Sequence, residues 1–311
     1  MQHLSQALAD ACQALEGHVQ LTPTIHLARQ ERWGDLSIAA PLALARGSGR
    51  QPREIAHILA NALNASTEHV RASAEAPGYV NFEVTPECAT SYLGELLQSA
   101  EAMRPSQTPC PQPLLLQLDF DPGDPARQHR ANALRQSLQA LASFLRVPAE
   151  NGTPGTTVLL GEVTGWTPDM PRILLLKARP HERLELGVGV EPVVKLLSRV
   201  DARHASAMKM AHRRGITPSP PTASLSSLEE RALRRQLLRL PFSMVQSWTD
   251  QTPSHLFHGV VATARAFHDF YDRVPVLSPH TSLAAARLGL MTAAATALDR
   301  ARALLDSSPK K

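Results

Sequence analysis

The chain has 311 residues, 43% of them hydrophobic and 19% charged, with a formal net charge of +4. That length allows two or three domains with cores of their own, and the composition is that of a soluble globular protein, which excludes a fibrous or wholly disordered chain. No uncharged apolar run approaches the roughly 18 residues of a bilayer crossing, and the opening MQHLSQALADACQALEG lacks the parts of a signal peptide, so a cytoplasmic protein with no membrane partner is expected.

Leu4, Leu8, Cys12 and Leu15 recur at helical spacing and predict an amphipathic opening helix. A second helix starts at Pro52, where proline suits the first turn. Val70 to Ala74 and Tyr79 to Val84 read as strands around an Ala-Pro-Gly turn, and a helix follows from Thr85 to about Ala102. These elements make a small α+β module over residues 1–103. Arg104 to Pro113, with four prolines in ten residues, reads as a linker over 104–113.

Beyond it, Leu114 to Phe120 reads as a buried strand, followed by a turn at DPGDP and a helix from about Gln128 to Leu145. Apolar runs at Thr157–Leu160, Ile173–Leu176 and Leu184–Val190 read as further short strands, so that residues 114–199 resemble half of a nucleotide-binding α/β unit. Residues 200–311 are helical, with apolar stripes on Phe257, Val260, Val261, Ala264, Phe267 and Tyr271 and on Leu288, Met291, Ala295, Leu298 and Leu305. They predict an all-α bundle of four or five helices. Thr217 to Ser227 is rich in proline and serine and too poor in large apolar residues to pack; it reads as a loop within that bundle.

Charge is uneven along the chain. Residues 1–110 carry 7 basic and 11 acidic side chains, residues 111–200 carry 10 and 9, and residues 201–311 carry 15 and 8. The basic last third fits either contact with a polyanion or a face charged for solubility. Three cysteines, none in C-x-x-C spacing, argue against a disulfide framework and a zinc knuckle. His255 and His258 lie three apart with no cysteine or acidic residue close by in sequence, and read as surface or cap residues, with no metal site.

Two sets of motifs carry a family resemblance. Gly34-Asp35, Pro52-Arg53-Glu54-Ile55-Ala56 and Ala76-Pro77-Gly78-Tyr79-Val80-Asn81-Phe82 occur in the order seen in the N-terminal additional domain of arginyl-tRNA synthetases. Met210-Ala211-His212-Arg213 resembles that family's Y-A-H-A-R. Ala266 to Tyr271, then Pro275-Val276-Leu277 and Ala286-Arg287-Leu288, resemble its DALR anticodon-binding domain. The resemblance implies a multidomain protein: an N-terminal α+β module, a small α/β remnant of a class I synthetase Rossmann domain, and a C-terminal all-α anticodon-binding bundle.

The middle departs from the family. Where synthetases carry H-x-G-H, whose histidines stabilise the phosphates during adenylate formation, this chain has Arg127-Gln128-His129-Arg130; the glycine that would let backbone approach ATP is missing. No K-M-S-K loop is present: Met208-Lys209-Met210 only superficially resembles one and falls in the stretch aligned with the anticodon domain. The expectation is a chain with no catalytic residues and no cofactor, binding tRNA without charging it, with His129 a relic.

By resemblance, Tyr79 and Asn81 would meet a D-loop nucleotide, the ring by stacking and the amide by edge hydrogen bonds, though either residue could serve the core or a turn instead. Arg203, Lys209, Met210, His212, Arg213 and Arg214 would lie beside the anticodon stem-loop, with Met210 in place of the stacking tyrosine. Arg231, Arg235 and Arg239, with Arg234 alongside, form a basic ridge, more commonly a solvated face. Arginine tRNA is the expected partner, with a tRNA-modifying or regulatory protein as a further one. The alternatives are an arginine-tRNA ligase-like subunit needing a partner for ATP-dependent aminoacylation, and a protein-interaction scaffold that has lost RNA binding.

Overall fold

The computed structural model describes residues 25–27, 33–104, 117–147, 157–168, 170–186, 190–221 and 225–306. The expected opening helix lies outside them. The chain divides into two compact units, Met1–Leu93 with Pro105–Gln107, and Gly94–Arg104 with Thr108–Lys311.

In the first unit, β1 (Ile25–Leu27), β2 (Leu36–Ile38), β3 (Val70–Glu75) and β4 (Tyr79–Val84) form one antiparallel sheet in the order β1-β2-β4-β3. Helices α1 (Ala40–Ser48) and α2 (Pro52–Ser66) cover it. The alternation of strand residues sends Val80, Phe82 and Val84 to the helix side, where they are buried with Ile55, Leu59 and Leu63 of α2. Each such side chain contributes about 1.5–3 kcal/mol by leaving water.

The family's motifs are the joints of this unit. Gly34 sits at φ +90°, and a Cβ there would lie 2.5 Å from the Phe82 carbonyl oxygen. That close approach lets the Asp35 N–H donate to the Phe82 carbonyl at 2.7 Å while its carboxylate accepts from the Val84 N–H at 2.9 Å. Gly78 is equally constrained, since a Cβ would meet Pro52 at 2.6 Å. The Ala76–Phe82 motif therefore meets both others, Gly78 against Pro52 and Phe82 against Gly34-Asp35.

The chain passes through α3 (Pro86–Gln98) and a 3-10 turn at Ala100–Met103 into the second unit. There β5 (Gln117–Asp119) and β6 (Thr157–Leu159) pair in parallel, connected by the long helix α4 (Pro125–Leu145). Asp124 caps α4, accepting from the N–H groups of Ala126 and Arg127. A second parallel pair joins β7 (Val163–Thr164) to β8 (Leu184–Glu185). The apolar run Ile173–Leu176, expected as a strand, is instead a buried 3-10 turn over Arg172–Leu176; a short apolar run lacks the periodicity that separates the two.

Four helices follow: α5 (Val190–Arg213), α6 (Leu228–Thr249), α7 (Ser254–Arg273) and α8 (Thr281–Leu305). The expected stripe residues Val260, Ala264, Phe267, Leu288, Met291 and Leu298 are buried. Among the described residues α8 is long and apolar enough to cross a bilayer by length and composition. It packs against α4, α5, α6 and α7, the surroundings of a core helix.

The described part of the Thr217–Ser227 stretch, residues 217–221 and 225–227, packs, contrary to its poverty in large side chains. Its contact is made by backbone: the Ser219 N–H donates to the Ala285 carbonyl at 3.0 Å, and a Cβ on Gly289 would lie 1.7 Å from the Ser219 carbonyl oxygen. Pro221 and Leu225 are buried with it.

The α6 start is locked by a capping box. The Ser227 hydroxyl accepts from the Glu230 N–H at 3.1 Å, and the Glu230 carboxylate accepts from the Ser227 N–H at 2.7 Å. Glu230 also takes the Arg287 Nε–H at 2.7 Å, and Arg287 donates onward to the Pro275 carbonyl at 2.9 Å. Burial alone would push the Glu230 carboxyl up, but the Ser227 bonds and the Arg287 charge together hold it below the usual carboxylate range. Its folded pKa thus lies below the unfolded one, so the pair stabilises above the ordinary carboxylate range and that stability is lost as pH falls through the folded value. Glu230→Gln is expected to cost about 3–5 kcal/mol at pH 7, the range for breaking one partner of a buried pair. Urea unfolding from pH 7 to pH 3 should show the gap to wild type closing at the acid end.

Candidate nucleic-acid interface

In the first unit, Tyr79 and Asn81 share the sheet face away from α2, as strand alternation requires. Tyr79 lies opposite Glu75 and is half-buried; Asn81 lies between Ser37 and Ser73 and is only 4% exposed. The structure therefore presents the ring to a ligand more readily than the amide.

In the second unit, the sequence-predicted residues fall at the C-terminal end of α5. The helix closes on a Schellman cap: the Gly215 N–H donates to the His212 carbonyl at 3.1 Å and the Ile216 N–H to the Ala211 carbonyl at 3.0 Å, with Gly215 at φ +65°. Ala211 and Ile216 are buried against this cap, which leaves Lys209, His212, Arg213 and Arg214 exposed on the last turn. Met210 stands among them, 41% exposed. Basic groups at a helix C-terminus also complement its dipole, which explains their charge sign but not an apolar Met210 left in water. Arg214 reaches across to donate to the Leu277 carbonyl at 3.3 Å, tying the helix end to the Pro275–Leu277 loop.

Arg203 is turned inward. One of its terminal nitrogens pairs with Asp272 at 2.9 Å, the other approaches His268 Nδ1 at 3.0 Å, and its guanidinium lies 4.8 Å from the Tyr271 ring centroid. His268 Nε2 is 2.8 Å from the Leu196 carbonyl, so that nitrogen donates and Nδ1 accepts from Arg203. On α6, Arg231 is exposed while Arg234, Arg235 and Arg239 are half-buried; burial pushes Arg239 below the usual guanidinium range. The ridge is open at its first residue and closes along the helix.

Sequence reasoning passed over one group. Arg130, inside the Arg127–Arg130 segment, is completely buried. Its guanidinium donates to the carbonyls of Glu182 at 2.9 Å, Arg179 at 2.7 Å, Gly161 at 3.2 Å and Ala178 at 3.5 Å. Burial pushes its pKa down to about 10, against the opposing pull of the Glu182 carboxylate, so it remains charged near neutrality. A Cβ at Gly161 would lie 2.2 Å from the Glu182 carbonyl oxygen, so that close approach is reserved to glycine. No local pattern announces this cage, because its partners lie 31 to 52 residues away. His255, read as lacking an acidic partner, pairs with Asp250 at 2.7 Å, and no metal-binding cluster occurs among the described residues.

Comparison with known proteins gives this geometry a context. Residues 2–84 match the family model of the arginyl tRNA synthetase N terminal domain, and residues 199–311 that of the DALR anticodon binding domain. The chain thus carries domains of the kind found in aminoacyl-tRNA synthetases. An arginine–tRNA ligase from Cyanothece sp. is 36% identical over 85 residues, 27% of this chain and 14% of that protein. Another from Dehalococcoides mccartyi is 30% identical over 103 residues, 32% of this chain and 18% of that protein. The matched part therefore spans less than a fifth of either relative. The arginyl-tRNA synthetase of Thermus thermophilus shares the fold with a TM-score of 0.67 at 13% identity, over 98% of this chain and 99% of that one. That of Plasmodium falciparum does so with a TM-score of 0.64 at 8% identity, over 98% of each chain. The protein is related to the arginyl-tRNA synthetases.

Arg130→Met, of similar length but without the charge, should cost at least about 3 kcal/mol, since several buried carbonyls would lose their donor at about 1–3 kcal/mol each. Urea unfolding followed by circular dichroism checks it.

Proposed function

We propose that this protein binds transfer RNA, arginine tRNA foremost, without charging it. The DALR-type domain would take the anticodon arm and the N-terminal domain the D-loop, in a cytoplasmic role linked to translation, such as presenting the tRNA to a modifying or regulatory protein. One observation carries the reading: in the domain matching an anticodon-binding family, the capped end of α5 leaves Lys209, His212, Arg213 and Arg214 exposed around an exposed Met210. Cations neutralise phosphates and supply most of the affinity, while an apolar side chain among them can cover an unpaired base. Met210 stacks with less direction than a tyrosine would, so recognition of one particular anticodon is weaker here than phosphate binding.

The absence of catalysis rests on the middle stretch, residues 114–199, read as a shrunken Rossmann remnant between end domains 1–103 and 200–311, with 104–113 as linker. Its β5–α4–β6 parallel unit supports that ancestry. At the position of H-x-G-H, Arg130 fills the interior and binds carbonyls, a structural use of the segment. Met208-Lys209-Met210 lies within the helix α5, not in the mobile loop that K-M-S-K chemistry needs.

Filter binding at ~150 mM salt should show arginine tRNA held more tightly than an unrelated RNA of equal length. The double reversal Lys209→Glu/Arg213→Glu should weaken it at least roughly tenfold and flatten the salt dependence, by about 0.7–0.9 in log–log slope per lost phosphate contact. Tyr79→Ala should cost about 1–3 kcal/mol of binding with an unchanged melting temperature. Equal affinity for both RNAs would overturn the proposal.

A further inference from the structure

The middle stretch carries exposed chemistry that neither end domain accounts for. His129, one residue before the buried Arg130, is exposed and stacks on half-buried Trp166, with ring centroids 4.8 Å apart and planes tilted by 30°. Arg130, the next residue on α4, holds the loop Lys177-Ala178-Arg179-Pro180-His181-Glu182-Arg183 by its carbonyls. Arg130 draws the carbonyls of Ala178, Arg179 and Glu182 inward, and the side chains of Lys177, Arg179 and His181 stand exposed.

The charges of this loop are not all available. Arg183 lies 3.9 Å from Glu162 and 3.4 Å from Glu185, and the Glu182 carboxylate accepts the Arg179 N–H at 2.9 Å. That leaves the side chains of Lys177 and Arg179 as cations facing water. Leu159, two residues before the caged Gly161, is 66% exposed, the most exposed large apolar side chain among the described residues. Rings, cations and apolar shoulder are all tied to one turn of α4: His129 stands on it, Arg130 holds the loop, and Gly161, bonded to Arg130, leads through β7 to Trp166.

We infer that this surface is a second RNA contact, which takes an unpaired single-stranded segment with one base stacked on the His129–Trp166 pair and its phosphates on Lys177 and Arg179. An acidic protein would use the cations but has no need of a stacked ring pair, whereas every unpaired base offers a π face to one. A duplex keeps its bases stacked on each other and cannot use the rings. The inference goes beyond the end domains and stands independently of them.

The test is binding of a labelled ten-nucleotide single-stranded RNA to the full chain at about 100 mM salt, followed by anisotropy and tryptophan fluorescence. The single strand should bind with quenching, and a duplex of equal length at least about tenfold more weakly. His129→Ala should lower affinity about 5- to 150-fold, the range for one lost stacking contact, and Lys177→Ala/Arg179→Ala should lower it at least about fivefold by removing two phosphate partners. All four residues but Trp166 are exposed, so these variants leave the core intact. Because the two surfaces are separate, the fold-loss caused by His129→Ala should be the same, within about twofold, in the wild-type and in the Lys209→Glu/Arg213→Glu background. Equal binding of duplex and single strand, wild-type binding by both alanine variants, or disappearance of the His129→Ala effect in the charge-reversed background would each overturn the inference.

Discussion

The middle of this protein depends on one buried cation. Arg130 gathers four carbonyl groups from two separate stretches of chain onto a single guanidinium. A fully buried charge is tolerable only when hydrogen bonds replace its water, and backbone carbonyls of an irregular loop are tolerable inside a protein only when something donates to them. Each side answers the other's requirement. The short strands β5 to β8 have too few residues to hold this region by ladder hydrogen bonds, and the cage supplies what they lack.

The same economy of means runs through the family motifs. Gly34 and Gly78 allow backbone to approach where any Cβ would collide, and Asp35 fastens the resulting loop to β4. Arg287 joins the capping box of α6 to the Pro275 loop. Gly289 admits the Ser219 carbonyl onto α8. Each of these residues meets a packing requirement of its own domain, so motifs such as Gly34-Asp35 and Ala286-Arg287-Leu288 report here on the fold.

That distinction marks what was legible in the sequence. The stripes of α7 and α8 and the proline-started α2 were readable because apolar spacing is a local property. The α+β character of the first unit followed from alternation around the Ala-Pro-Gly turn. Arg203 looked like its basic neighbours on α5, and only tertiary structure shows it turned toward His268, Tyr271 and Asp272. Asn81, expected by resemblance at a D-loop nucleotide, sits mid-sheet, because a central strand buries both faces more than its pattern implies. Arg130 was invisible, since its partners are carbonyls, which every residue has. The Thr217–Ser227 loop misled for a related reason: at Ser219 it packs through backbone, and composition weighs side chains.

The proposed function holds that tRNA binding persists where adenylate chemistry has gone. Arginine-dependent ATP–pyrophosphate exchange, measured in the presence of saturating arginine tRNA on a preparation shown to bind that tRNA stoichiometrically, tests it most directly. Exchange no faster than in protein-free controls is expected; robust exchange that requires arginine would show that adenylate chemistry is intact.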